Sequence, residues 1–177
     1  DALLSTVQMP PGVPVATVEL KTDFTQSVGD AVDQYRFDRL PKPKGQPAEP
    51  LLSFPTGALV HFAVSNHEVQ MTTRLEGAAT QFLPFNQGNA GAAGNPPADG
   101  HHTAYLWERV WERESWLEIL GRYLIGKRDR KGKLTQVIFP RFHQLDVTRK
   151  LQAAVLADGA GGRYLVQHSA GSGKTNS

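Results

Sequence analysis

The stretch Val13-Pro14-Val15-Ala16-Thr17-Val18-Glu19-Leu20-Lys21 decides how the first half of the chain is organised. It is rich in β-branched residues and places an apolar residue at every second position, which is the period of a β-strand. Successive side chains of a strand point to opposite faces, so Glu19 and Lys21 share one face while Val18 and Leu20 anchor the other. The pattern therefore predicts a carboxylate and an ammonium group in one cleft.

Glu19 and Lys21 suit the hydrolysis of a phosphodiester bond. This reaction needs a divalent cation that polarises the phosphate and lowers the pKa of an attacking water, and Mg²⁺ prefers carboxylate oxygens. Glu19 would supply one ligand, and Asp1 a second if a turn at 10–12 returns its strand beside the Glu19 strand. Lys21 would orient the water or offset phosphate charge. The alternative is an exposed ion pair on an edge strand, the more common meaning of Glu-x-Lys.

The following segments predict a mixed α/β arrangement around this strand. Residues 26–39 place apolar side chains at helical spacing until a run of prolines ends the helix. Residues 58–65 and 68–75 are two short runs rich in Val, Phe, Met and Thr, and they predict a β-hairpin. We expect a mixed sheet in which the strand at 13–21 lies near this hairpin, with the helix packed on one face.

Residues 77–100 are rich in Gly, Ala, Asn and Pro, with too little apolar content to pack. They predict a mobile surface loop, with poor order and fast amide exchange at 88–100.

Residues 105–125 are predicted to be helical. Ser115 and Glu118 have the spacing of a capping box, which predicts a second helix beginning at Ser115. Core packing is the favoured role of the tryptophans in this region, and a stacking platform for bases is the alternative. These tryptophans are Trp107, Trp111 and Trp116.

The end of the chain predicts the opening of a parallel α/β domain. Residues 133–139 predict a strand or an extended entry, 141–157 a helix, and 163–168 a buried strand that feeds a glycine-rich loop.

The loop Ser169-Ala170-Gly171-Ser172-Gly173-Lys174-Thr175 is typical of a phosphate-binding Walker A motif. Its small residues allow backbone N–H groups to surround phosphate oxygens. Lys174 would reach the β- and γ-phosphates of ATP, and the Thr175 hydroxyl would ligate Mg²⁺. His168 departs from the pattern, because it stands where the first glycine is expected. The alternative is a glycine loop that arose by chance.

Upstream of this loop, the segment 139–144 is similar to the element of superfamily 2 helicases in which a glutamine reads adenine, and this resemblance implies Gln144 and Arg141 as candidates for nucleotide recognition. Gln144 can present both a donor and an acceptor to an adenine edge, and Arg141 can stack or brace it. The same residues also suit ordinary helix-start chemistry after Pro140.

Composition limits the classes of function. The net charge is +2, so any contact with nucleic acid has to be local. The densest basic stretch is 127–133, which predicts either a solvated turn or a loop that contacts phosphates. The chain has no cysteine, which excludes disulfides and thiolate metal sites and favours a reducing, cytoplasmic compartment. No apolar run approaches the roughly 20 residues that a membrane helix needs.

Several segments together resemble the restriction subunit of type I restriction-modification systems. They are the strand at 13–21, AVDQYRFDR at 31–39, the hairpin runs at 59–64 and 69–75, FLPFNQG at 82–88 and TAYLWE at 103–108. The resemblance covers nearly the whole chain. It implies a nuclease of the PD-(D/E)xK type with Asp1, Glu19 and Lys21 as active-site positions. The segment 139–144 is similar to the adenine-reading element of superfamily 2 helicases.

Two departures from the family accompany the resemblance. The Asp1 to Glu19 segment is longer than expected, with 8–12 as the inserted part. Relatives carry Gln-xxx-Tyr on the following helix, whereas here Ala31 stands four residues before Tyr35 and the glutamine is Gln34. Gln34 or Tyr35 is therefore expected near the cleft.

The resemblance implies an ATP-dependent endonuclease with Mg²⁺ and ATP as cofactors. Double-stranded DNA and the methyltransferase and specificity subunits of the same system would be its partners, and no membrane is expected. The expected fold is α/β, with a nuclease-like domain at 1–126, including a loop at about 77–103 and helices at about 105–125. Residues 127–177 would form the first part of a helicase-like ATPase domain. We expect the sequence to be a fragment that is truncated at both ends. The alternatives are a non-catalytic domain that docks DNA or partner subunits, and an unrelated P-loop ATPase.

Overall fold

A computed structural model describes residues 4–9 and 12–167. Its main sheet is mixed, which confirms that part of the predicted fold. In spatial order the strands are Ser5–Met9 (β1), Val13–Leu20 (β2), Val60–Val64 (β3), Val69–Thr72 (β4) and Leu83–Pro84 (β5). Strands β2 and β3 are parallel, and the other neighbouring pairs are antiparallel.

The connection between β2 and β3 contains the predicted helix. Helix α1 spans Val28–Asp33 and continues as a π-helical turn at Gln34–Asp38. It begins after Ser27, whose backbone N–H and hydroxyl donate to Asp30 Oδ2 at 2.6 and 2.9 Å. This cap satisfies a helix N-terminus that would otherwise leave unpaired donors. The arrangement is a β-α-β unit with α1 packed against β3.

The two faces of β2 are both covered, so this strand is more buried than the sequence predicted. Ala16 and Val18 join the main hydrophobic core, while Thr17 and Glu19 are fully buried on the face that carries α1. Leu20 was expected to anchor the apolar face but is 54% exposed, because it is the last residue of the strand. The predicted alternation is therefore wrong at Leu20.

The second helical region differs in its boundaries from the prediction. Helix α2 spans Arg113–Glu118, between π-helical turns at Leu106–Val110 and Ile119–Tyr123. Its N-cap is Glu112, whose carboxylate accepts the Ser115 N–H at 3.0 Å. The start at Ser115 is wrong because the longer side chain of Glu112 caps the helix earlier.

The three tryptophans do not behave alike. Trp116 is buried in the main core, and Trp111 packs against that core with its ring 5.5 Å from the Phe62 ring. Trp107 is 44% exposed and lies beside His101 at a ring distance of 5.7 Å. Core packing is thus confirmed for Trp116 and Trp111 and wrong for Trp107.

The last part of the described chain folds as a hairpin and a helix. Strands Ile125–Arg128 (β6) and Leu134–Ile138 (β7) form a separate two-stranded sheet, and helix α3 spans Phe142–Asp158. Residues 163–167 are exposed and belong to no strand, so the predicted buried strand is wrong over these residues. A strand is held by hydrogen bonds to a neighbour, and the described residues supply no partner strand there.

One core cluster includes residues from both sides of the predicted domain division at 126–127. That position falls inside β6, and Phe139, Phe142 and Leu145 belong to the same core cluster as β2 and β3. The start of α3 is thus packed onto the first part of the chain. The division into two domains stays a prediction.

Residues 77–100 contain more structure than their composition predicted. Strand β5 pairs with β4, and Phe85 is fully buried with its N–H donating to Val69 O at 2.9 Å. The expectation that this segment cannot pack is therefore corrected at Phe85, because a single aromatic side chain suffices to anchor it. The mobility of 88–100 stays a prediction.

Within the ranges 4–9 and 12–167, no helix is long and apolar enough to cross a bilayer.

Candidate functional site

Glu19 lies on an inner strand and is completely shielded from solvent. Its Cα partner on β3 is Ala63, a small residue. A charged carboxylate at such a position costs several kcal/mol in lost hydration unless partners compensate it. The exposed ion pair on an edge strand is therefore wrong for this residue, since β2 runs between β1 and β3.

One oxygen of Glu19 is paired and the other has no hydrogen-bond partner. The Arg39 Nε donates to Glu19 Oε1 at 2.7 Å, while Oε2 is buried without a partner among the described residues. Buried polar atoms are almost always satisfied, so an orphaned carboxylate oxygen indicates a missing ligand or a stored cost. This atom is the strongest chemical signal in the described chain.

Lys21 lies directly after β2, where its N–H donates to Val64 O at 2.8 Å. The side chain is 5% exposed, unusually low for lysine. Its charge acts on the N-terminus of α1. The pKa of the Asp30 carboxyl is lowered, chiefly by the Ser27 N–H and to a smaller degree by the Lys21 ammonium. Both predicted residues of the motif are therefore buried at the same end of β2.

A buried polar cluster continues along the Glu19 face of the sheet. Thr17 Oγ1 lies 2.8 Å from Tyr35 Oη and 2.7 Å from His61 Nδ1, and all three residues are buried. Burial raises the pKa of the Tyr35 hydroxyl and lowers the pKa of His61 to about 4. Tyr35 thus contacts β2 at Thr17, two residues before Glu19, while its place at a catalytic cleft stays a prediction.

The neutral state of His61 leads to a prediction about stability at acidic pH. The pKa of His61 is about 4 in the folded chain against 6.5 for a free imidazole, so between these values the unfolded chain binds the additional proton. Stability should therefore fall as the pH falls from 6.5 to 4, by about 3 kcal/mol. Urea unfolding of the wild type and His61→Asn measures this. The free energy of unfolding of the wild type minus that of His61→Asn should decrease by about 3 kcal/mol between pH 7 and pH 4. A pH-independent difference would contradict it.

Gln34 carries a second buried oxygen without a partner. Gln34 immediately precedes Tyr35 at the start of the π-helical turn, and its Oε1 accepts no hydrogen bond among the described residues. π-helical turns in α-helices occur frequently at functional sites. Gln34 therefore remains a candidate for ligand contact.

The carboxylate set for a divalent cation is only partly described. Asp1 lies outside the described residues, although the predicted hairpin is present, with β1 antiparallel to β2 and Ser5 opposite Val18. In the described ranges, no group of three or more His, Cys, Asp or Glu side chains is placed to hold a metal ion. The orphaned oxygen of Glu19 fits Mg²⁺ chemically, because hard cations take carboxylate oxygens.

The nucleotide-binding residues fall into two groups. Residues 169–175, including Lys174 and Thr175, lie outside the described residues. Gln144 is 5% exposed, and its Oε1 accepts the Arg141 N–H at 2.8 Å at the start of α3. The side chain thus serves the helix start, which was the alternative interpretation. Arg141 Nε is buried without a hydrogen-bond partner among the described residues. Adenine recognition by Arg141 and Gln144 stays a prediction.

The basic stretch forms the exposed end of the β6–β7 hairpin. All residues from 125 to 133 are exposed, and Asp129 Oδ1 shapes the turn by accepting the N–H groups of Lys131 and Lys133 at 2.8 and 2.9 Å. Residues 127–133 hold five Lys or Arg and one acidic residue, a net charge of +4 against +2 for the whole chain. The positive charge is therefore concentrated on one projecting β-ribbon.

No protein-family model, curated protein sequence or solved structure matches this chain. Function therefore has to be inferred from the chain's own residues.

Arg39, Thr17 and His61 were not singled out by the sequence. The signal for Arg39 was its place at the end of the predicted helix, where a long side chain can reach back to the preceding strand. Thr17 is two residues before Glu19 on the same strand, so the alternation of a strand places both side chains on one face. His61 could not be found without knowing that β2 and β3 are parallel and in which register.

Proposed function

We propose that this chain belongs to a metal-dependent DNA endonuclease of the type I restriction kind. The observation that carries the proposal is Glu19, fully buried on an inner strand with an unpartnered carboxylate oxygen. The sequence supports the proposal through the Glu-x-Lys motif and through the resemblance of the surrounding segments to restriction subunits. DNA cleavage coupled to ATP-driven translocation of the duplex is the activity that follows from this proposal.

Each residue of the cleft has a distinct chemical task. Glu19 would hold Mg²⁺ together with Asp1, and the bound ion supplies Lewis-acid stabilisation of the phosphate. Lys21 offsets negative charge on the phosphodiester or orients the attacking water, and its burial strengthens this interaction. Arg39 holds the Glu19 carboxylate in one orientation through the 2.7 Å contact.

The experiment that tests the proposal compares two ion-paired glutamates. Glu19→Gln keeps the shape of the side chain and removes the charge, so DNA cleavage by the intact protein should fall by at least about a hundredfold, since a metal contributes several kcal/mol to the transition state. The matched control is Glu118→Gln, because Glu118 pairs with Arg149 at 2.6 Å outside the cleft. The control should cut at the wild-type rate. Equal cleavage by Glu19→Gln would remove the nuclease assignment from this cleft.

A second candidate function, DNA docking without cleavage, is favoured by the basic hairpin. A two-stranded β-ribbon fits the major groove of duplex DNA, and cations at its tip neutralise phosphates. DNA docking by the hairpin is compatible with the nuclease proposal. It would be the function of this chain without cleavage if Glu19 has only a structural role.

Removal of two hairpin cations tests the DNA contact. In Arg130→Ala/Lys131→Ala, the slope of log affinity against log salt should become shallower by about 2, because each phosphate contact contributes roughly 0.9. Lys42→Ala/Lys44→Ala removes two exposed lysines outside the hairpin and serves as the matched control. Fluorescence anisotropy with a short duplex between 50 and 200 mM salt, roughly the range over which counterion release is measurable, provides the slope. Identical slopes for the two double variants would exclude the hairpin as the contact.

The motor part of the proposal rests on sequence. Lys174 and Thr175, with the backbone of 171–173, would hold the phosphates of ATP and its Mg²⁺, and Arg141 and Gln144 would contact the base. The partners on this proposal are duplex DNA and the methyltransferase and specificity subunits.

A further inference from the structure

Two histidine side chains from separate loops meet at the turn between β3 and β4. His67 Nδ1 lies 3.4 Å from His102 Nδ1, and the two rings are nearly perpendicular at 86°. His67 belongs to the turn between β3 and β4, whereas His102 lies at the end of the long connection that follows β5. The contact therefore joins residues that are far apart in sequence.

The loops that carry these histidines are tied together by buried groups. Thr103 Oγ1 donates to Ser65 O at 2.8 Å, and Asn95 Nδ2 donates to His67 O at 2.8 Å. Both Thr103 and Asn95 are buried. A further bond joins His101 Nδ1 and Asn66 Oδ1 at 2.9 Å. The positions of His67 and His102 are thus set by three bonds in which neither imidazole takes part.

The separation of the two ring nitrogens matches a shared metal ion. Two imidazole nitrogens bound to one tetrahedral ion at about 2.0–2.1 Å lie roughly 3.4 Å apart, and Nδ1 is a regular ligand atom. A hydrogen bond between two ring nitrogens is also possible, but it prefers a shorter distance of roughly 3 Å. The distance between the two Nδ1 atoms therefore fits two nitrogens bound to one cation better than it fits a direct hydrogen bond between them.

A carboxylate faces the opposite nitrogen of His67. Asp23 Oδ2 lies 3.8 Å from His67 Nε2, and its side chain is 23% exposed against 57% for His67. In metal sites a carboxylate on the far nitrogen holds the proton there and frees the other nitrogen for the ion. At 3.8 Å the Asp23 carboxylate is beyond hydrogen-bond distance, so it would act on His67 through its charge alone and without touching the metal.

We propose that His67 and His102 form a site for a divalent transition-metal ion of the Zn²⁺ or Ni²⁺ class. Imidazole selects such ions over Mg²⁺, so this site is distinct in chemistry from the carboxylate of Glu19. Two protein ligands leave coordination positions for water or for a group of a bound partner. The proposal stands on the histidine geometry and does not depend on the proposed nuclease function.

Isothermal titration of the tag-free, metal-stripped protein with Ni²⁺, repeated with Zn²⁺, tests the site. The wild type should show one saturable event that excess Mg²⁺ does not displace. His67→Ala and His102→Ala should each weaken binding by at least about tenfold, and Asp23→Asn should weaken it by less, because its contact with His67 is electrostatic only. His143→Ala, a histidine on α3, is the matched control and should bind as the wild type does.

A second readout separates a lost site from a lost fold. Saturating Ni²⁺ should raise the thermal unfolding midpoint of the wild type and of His143→Ala, because an ion that binds only the folded chain stabilises it. The same addition should raise the midpoint of His67→Ala or His102→Ala clearly less, because weaker binding gives less stabilisation, and the circular dichroism of both variants should remain that of the wild type. Absence of a saturable event in the wild type, or unchanged affinity in both folded histidine variants, would overturn the site.

Discussion

Replacing Lys21 with alanine is expected to abolish DNA cleavage by the intact protein while ATP hydrolysis continues. On the proposed mechanism Lys21 acts on the phosphodiester, so its loss removes several kcal/mol of transition-state stabilisation and lowers the cleavage rate by at least about a hundredfold. Lys21 is 5% exposed, so Lys21→Met is the better-packed companion variant. Both should retain wild-type ATPase rates in the same preparation.

Lys174→Ala provides the reciprocal case. It should remove ATP hydrolysis and translocation, and cleavage should fall as well because cutting waits on translocation in the proposed system. The Lys21 variants should therefore lose only DNA cleavage, whereas Lys174→Ala should lose both ATP hydrolysis and DNA cleavage. Normal cleavage by Lys21→Ala would make Lys21 structural, and a loss of ATPase in Lys21→Met would show that the substitution disturbs folding.

Replacing Arg39 with alanine is expected to destabilise the fold by about 3 kcal/mol. Removing one partner of a buried ion pair leaves the other charge uncompensated, and Glu19 is the fully buried partner. Urea unfolding at neutral pH measures the loss. Glu19→Gln should recover most of it in the double variant, because the uncompensated charge is then gone.

Arg36→Ala is the control for this prediction. Arg36 lies on the same π-helical turn, where it donates to Thr80 O at 3.2 and 3.1 Å and pairs with the exposed Asp33 at 3.8 Å. Its loss leaves no buried charge, so it should cost only about 1 kcal/mol. Equal destabilisation by Arg36→Ala and Arg39→Ala would mean that helix propensity explains the effect. No recovery by Glu19→Gln would exclude the buried charge as its cause.

The sequence predicted the elements of the sheet well because their signals are local. The period of β2 and the two runs of the β3–β4 hairpin are repeated short-range patterns that survive tertiary packing. The parallel pairing of β2 with β3 was not predicted, since register between distant strands depends on which side chains meet across the sheet. His61 beside Thr17 follows only from that register.

Other predictions failed where one residue outweighed composition. Phe85 anchors a segment that reads as loop from its Gly, Ala and Pro content, and Glu112 caps α2 ahead of the Ser115 signal. At 163–167 the apolar pattern predicted a buried strand, but a strand forms only where a neighbour accepts its hydrogen bonds.

The candidate site likewise contains residues that the sequence predicted and residues that it missed. Period two placed Glu19 and Lys21 on one face, and the resemblance to restriction subunits implied their catalytic role. The structure adds that both are buried. Arg39 was missed because its role depends on the three-dimensional return of the helix end to β2. Asp1 and 169–175 lie outside the described residues, so their roles remain predictions.

Binding of Mn²⁺, which shares the oxygen-ligand preference of Mg²⁺, tests most directly whether Glu19 is a metal ligand. Electron paramagnetic resonance of free Mn²⁺ counts the ions bound by each variant, in a His102→Ala background that removes the histidine pair. Glu19→Gln should lose one bound Mn²⁺ while remaining folded, and Glu118→Gln should keep it. Undiminished Mn²⁺ binding by Glu19→Gln would contradict the account and leave Glu19 as the structural partner of Arg39.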